Sequence, residues 1–195
     1  MKKEEKSEEI HEKENLLWIL KETKKALKKQ DVVKIKELSN RTVHSASTSQ
    51  DVDSISIAIL IYSLSKILER KKYTSYDDFP SFYKSYVFVI DKSIRDLERN
   101  NVENFRRDIG KIRKITNNLS GNFKKYIKDV FRKAQINKAS RIYEHGISME
   151  QTAKLLGITI WELAEYAGQT GISDVNLTNT LPIKKRIKTI EDMFK

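Results

Sequence analysis

Arg41 and His44, in the run NRTVHSAS, are the two side chains whose types and spacing best suit a reaction. Three-residue spacing on a helix puts both on one face. There an arginine could hold a phosphodiester while an imidazole moves a proton. The competing reading is structural, because a histidine near a helix end complements the partial negative charge of the last carbonyls. His11 stands in a charged amino-terminal run and His145 directly precedes Gly146, which should stop a helix. Three scattered histidines define no metal site, and Asp77 with Asp78 reads as a loop or cap rather than a cation site. The chain has no cysteine, which excludes disulfides, thiolate metal centres and cysteine nucleophiles. It also lacks a glycine-rich phosphate loop, a serine nucleophile elbow and a dinucleotide fingerprint. We therefore expect a non-catalytic protein with no cofactor and no metal.

Binding chemistry is better represented than reaction chemistry. The formal net charge is +11, and it is unevenly placed: residues 102–145 hold twelve lysines and arginines against four acids. Lys124, Lys128 and Arg132 recur every four residues, as do Lys125 and Lys133 about Asp129, so the charge forms stripes along a helix. Such stripes attract a phosphate backbone through counterion release, without sequence preference. The expected phosphate contacts are Arg106, Arg107, Lys111, Lys124, Lys125, Lys128, Arg132 and Lys133. A second cluster, Lys184, Lys185, Arg186 and Lys188, could form a phosphate-binding arm or merely a solvated end. A solvated helical face, an acidic protein or an anionic membrane surface would account for the same lysines.

The elements that must position these residues are helices. Two prolines and six glycines in 195 residues leave few breaks, and 33% charged against 38% hydrophobic residues suits amphipathic helices with solvated faces. The first helix is expected from about Ile10 to Lys29, with Leu16, Leu17, Leu20 and Leu27 inward and Trp18 near the edge. Asp31 should cap a second helix, which fades into a serine and threonine loop at Ser45–Gln50. Asp51, Asp53 or Ser54 caps the apolar run Ile55–Leu68, which is too short for the about 20 residues of a membrane span and reads as a buried central helix. Helices over Ser81–Arg99, Val102–Leu119 and Asn122–His145 follow, with turns at Asn100–Asn101 and Ser120–Gly121. Phe79, Phe82, Tyr83, Tyr86 and Phe88 crowd the first of these and are expected mostly in the core.

The stretch 149–168, MEQTAKLLGITIWELAEYAG, resembles the helix-turn-helix superfamily. Ala153 stands where two helices cross closely, Gly157 where the turn needs positive φ, and Leu156, Ile158 and Leu163 supply an apolar wedge. Ser148 and Gln151 make a capping box in front of it. The resemblance implies a second helix in the major groove, with Thr159, Ile160, Trp161, Glu162 and Glu165 as base contacts. That helix carries no lysine or arginine, and the whole stretch is net −2. It could equally be a docking surface for a protein partner or a second copy, with Trp161 and Tyr166 supplying contact area. Separately, Arg41 and His44 are similar to the arginine-histidine pair of HEPN-superfamily helical nucleases, with two residues between them where that family has four to six. This resemblance implies a metal-independent ribonuclease.

The expected architecture is all-α: a charged extension at 1–9, a helical bundle over 10–120, a basic connecting helix at 121–146, a helix-turn-helix module at 147–170 and a basic tail at 171–195 with a short helix from Pro182. The expected function is regulatory nucleic-acid binding, DNA more than RNA. A protein-interaction adaptor is the alternative, and HEPN-like ribonuclease activity is a lesser one. No membrane partner is expected, and the missing cysteines suit a reducing cytoplasm.

Overall fold

A computed structural model describes residue 10 and residues 12–49, 51–70 and 74–170. The described residues form eight helices and no strand: α1 (Lys13–Lys28), α2 (Val32–Ser49), α3 (Val52–Glu69), α4 (Phe79–Glu98), α5 (Val102–Asn117), α6 (Gly121–Glu144), α7 (Met149–Leu156) and α8 (Ile160–Thr170). No helix among them is long and apolar enough to cross a membrane. The expected extension at 1–9, His11, the tail at 171–195 and its basic cluster lie outside the described residues.

The helix ends follow local chemistry. Asp31 accepts from the Lys34 amide at 2.9 Å, and Asp51 accepts from the amides of Asp53 and Ser54 at 3.2 and 3.0 Å. Asn100 takes a left-handed conformation at the end of α4, and the Asn101 side chain caps α5 by accepting from Asn104 at 3.1 Å. Pro80 fits the first turn of α4, where its missing N–H is harmless, so that helix starts two residues before Ser81.

Packing overrides propensity at Ser45–Gln50. The expected loop is the last part of α2, which runs to Ser49. Ala46 and Ser47 are buried, and Ser47 Oγ donates to the His44 carbonyl at 2.8 Å, so the serine satisfies the helix it was expected to break.

α3 is the central helix, buried along nearly its whole length. Its serines donate to their own helix: Ser63 to Ile59 O and Ser65 to Tyr62 O, both at 2.8 Å. Neighbouring helices donate to it as well, Ser39 Oγ to Ala58 O and Tyr86 Oη to Leu60 O, both at 2.7 Å. α2 packs along α3, α4 along α5, and α1 against both α2 and α4.

Two apolar clusters result. The larger joins α1 to α5 with the first half of α6 through Leu16, Leu20, Ile61, Tyr86, Phe105 and Phe123. The smaller joins the end of α2, the start of α3, the end of α6, α7 and α8 through Val43, Ala46, Ile55, Ile142, Leu156 and Leu163. α6 contributes Phe123, Ile127 and Val130 to the first cluster and Ala139 and Ile142 to the second.

Candidate nucleic-acid interface

The eight expected phosphate contacts divide by what holds them. Arg106 grips the nearly buried Asp53 through Nε at 3.0 Å and Nη2 at 2.8 Å, tying α5 to the start of α3. Lys111 and Lys92 flank the fully buried Asp108 at 2.5 and 2.6 Å. Burial by itself would raise the Asp108 carboxyl, but the hydrogen bonds from these two lysines outweigh it and hold it at about 2. Asp96, desolvated and facing the Asp108 charge, is raised instead. Lys133 pairs with Asp129 at 2.9 Å on an exposed face.

Arg132 is committed to α8. Its Nε donates to Glu162 Oε1 at 2.9 Å, its Nη2 reaches both carboxylate oxygens, and Nη1 contacts the Gly157 carbonyl at 3.4 Å. Glu162 also closes a capping box with Thr159. The Thr159 amide and hydroxyl donate to Glu162 Oε2 at 2.9 and 2.7 Å, and the Glu162 amide donates back to Thr159 Oγ1 at 3.2 Å. Hydrogen bonds from Arg132, then from Thr159, hold the Glu162 carboxyl at about 2. The Thr159 and Glu162 side chains thus engage each other and α6.

Arg107, Lys125 and Lys128 are exposed and Lys124 is half-buried; with the exposed Arg113 and Lys114, they have no acidic partner among the described residues. These six line α5 and α6 on either side of the turn at Asn118–Ser120. Ser120 is fixed to the start of α4, its Oγ donating to Asp78 at 3.0 Å.

α7 and α8 meet through a three-residue turn. Gly157 has φ of 63° and ends α7 in the left-handed conformation, which costs a glycine nothing. Ser148 caps α7, accepting from the Gln151 amide at 3.2 Å. Ala153, Leu156, Ile158 and Leu163 are buried between these helices and the bundle. Outward, α8 presents Ile160, 46% exposed, and Trp161, 84% exposed, followed by Glu165. A groove of about 490 Å³ separates α8 from α3 and α6, lined among others by Tyr62, Lys66, Tyr126, Lys133 and Tyr166.

The Arg41 and His44 side chains are both exposed but engaged in different directions. The Arg41 guanidinium lies 4.3 Å over the Trp18 ring, and His44 faces His145 from α6. Lys138, part of the expected basic count, is fully buried: Nζ donates to Asn40 Oδ1 at 2.9 Å and lies 4.1 Å over the Tyr62 ring. Its place was readable, since Phe123, Ile127, Val130, Ala134 and Lys138 recur at three and four residues along the buried face of α6. The Thr159–Glu162 box was a readable signal as well.

The protein is strongly basic, its described residues are all-helical, and α5 and α6 carry six cations with no acidic partner among those residues. The chain matches no known protein family, no curated protein and no solved structure.

Proposed function

We propose that the protein binds nucleic acid without catalysis, DNA more than RNA, in a regulatory role. The observation that carries this reading is the run of cations with no acidic partner among the described residues, Arg107, Arg113, Lys114, Lys124, Lys125 and Lys128, along α5 and α6 on either side of the turn between them. Cations already neutralised by carboxylates release few counterions, so the affinity of this surface comes from these six rather than from Arg106, Lys111, Arg132 and Lys133. The buried Ala153 and left-handed Gly157 support a helix-turn-helix for α7 and α8. Within it, Thr159, Ile160, Trp161 and Glu165 of the base-contact set are exposed, Thr159 with its hydroxyl tied to Glu162.

A second reading is favoured by a specific observation. Trp161 at 84% exposure beside Ile160, on a helix start free of lysine and arginine, suits a protein partner better than a polyanion. The two readings separate in one experiment. Binding to random duplex DNA, single-stranded DNA and structured RNA is measured across a salt series for the wild type, Lys125→Glu/Lys128→Glu and Trp161→Ala. Nucleic-acid binding predicts a steep salt dependence that the double variant flattens by about 2 in log–log slope. No binding to any of the three at low salt overturns it and leaves docking through Trp161.

A further inference from the structure

His44 and His145 lie 101 residues apart in sequence and side by side in space, with His44 Nδ1 3.2 Å from His145 Nε2. Both imidazoles are exposed. The tautomer of His145 follows from its other nitrogen. Nδ1 lies 2.7 Å from the Arg141 carbonyl, which can only accept, so Nδ1 carries the proton and Nε2 presents its lone pair to His44. A ring N–H donated to a backbone carbonyl, with the opposite nitrogen free, is how metal-bound histidines are held.

The spacing fits the same chemistry. Two nitrogens each about 2.0–2.1 Å from a tetrahedral ion stand roughly 3.3 Å apart. His145 is the C-cap of α6, so the negative end of that helix's dipole favours a cation at the rings. The neighbouring arginines are drawn elsewhere, Arg41 onto Trp18 and Arg141 to Glu144 at 3.0 Å.

We propose that His44 Nδ1 and His145 Nε2 form a two-histidine site for a divalent transition cation of the zinc, nickel and copper class. No third histidine or acid joins them among the described residues, so water completes the coordination. On binding, the proton of His44 moves through solvent from Nδ1 to Nε2. Both rings remain neutral, each gives one lone pair to the metal, and no electron is transferred. The ion cross-links α2 to α6 beside the second apolar cluster, so it stabilises the folded chain.

Calorimetric titration of the full chain with zinc chloride and, separately, nickel chloride tests this, alongside His44→Ala, His145→Ala and His11→Ala. The expected result is one saturable site per chain, weakened more than about tenfold by either of the first two substitutions and unchanged by the third. Zinc should also raise the thermal midpoint of the wild type and of neither variant. Should a variant fail to fold, imidazole nitrogen resonances in the wild type give the same answer, since zinc must move those of His44 and His145 together. No saturable binding, or a site that survives either substitution, overturns the proposal.

Discussion

Replacing Lys138 with methionine should change how stability depends on pH. The lysine is fully buried, its charge is met by the Asn40 amide and the Tyr62 face, and no acid pairs with it among the described residues. Burial first, then the nearby charges of Arg141, Lys36 and Lys66, lower it from 10.5 to about 7. The unfolded chain therefore holds this proton up to about pH 10.5, whereas the folded chain releases it near pH 7. Between those values the unfolded state binds more protons, so stability rises with pH. The slope contributed by this group is about 1.4 kcal/mol per pH unit, with an upper bound of ~5 kcal/mol across the window. Lys138→Met keeps the chain length and removes the charge. Urea unfolding followed by helical circular dichroism at pH 7, 8 and 9 should show the wild type gaining on the variant at each step, with the variant the more stable at pH 7. Parallel curves for the two proteins would refute the reasoning, because they would mean that Lys138 stays charged in the fold or is hydrated there.

Three further outcomes follow from the α7–α8 region. Arg132→Ala should raise the Glu162 titration midpoint from about 2 toward 4.5, as followed by carboxyl carbon resonances; stability from this group is whole above pH 4.5 and fades as pH falls toward 2. An unmoved midpoint would mean that Thr159 alone holds the carboxylate. Leu163→Ala, at a fully buried position, should cost about 2–5 kcal/mol, whereas Trp161→Ala should stay within about 0.5 kcal/mol, both by chemical denaturation. Gly157→Ala should cost about 1–2 kcal/mol through its left-handed backbone, although a methyl group there meets nothing within 4 Å; an unchanged unfolding midpoint would contradict the strain.

What could be read from the sequence was local. The apolar run of α3, the caps Asp31, Asp51 and Ser148, and the breaks at Asn100, Ser120 and Gly157 are written in neighbouring residues, and the helices begin and end close to them. Ser45–Gln50 misled because hydroxyls that compete with a helix in water instead bond back into one that is buried. The candidate site was harder, since a lysine or arginine count does not say which charges are spent. Arg106 finds Asp53 across 53 residues and Arg132 finds Glu162 across 30, pairings that no periodicity announces. His44 and His145 are separated further still, so their meeting was invisible before the chain was folded.

α6 takes part in two clusters, and this has a consequence for the order of assembly. Residues 10–130 hold every buried side chain of the larger cluster, whereas the smaller one also takes Ala153, Leu156, Ile158 and Leu163, from helices that pack chiefly on the end of α6. During synthesis from the amino terminus, the partners of the first cluster are complete while the second lacks a wall. Until then the apolar end of α6 lacks its cover, and a nascent or truncated chain ending near Gly146 presents an adhesive patch that the finished chain conceals.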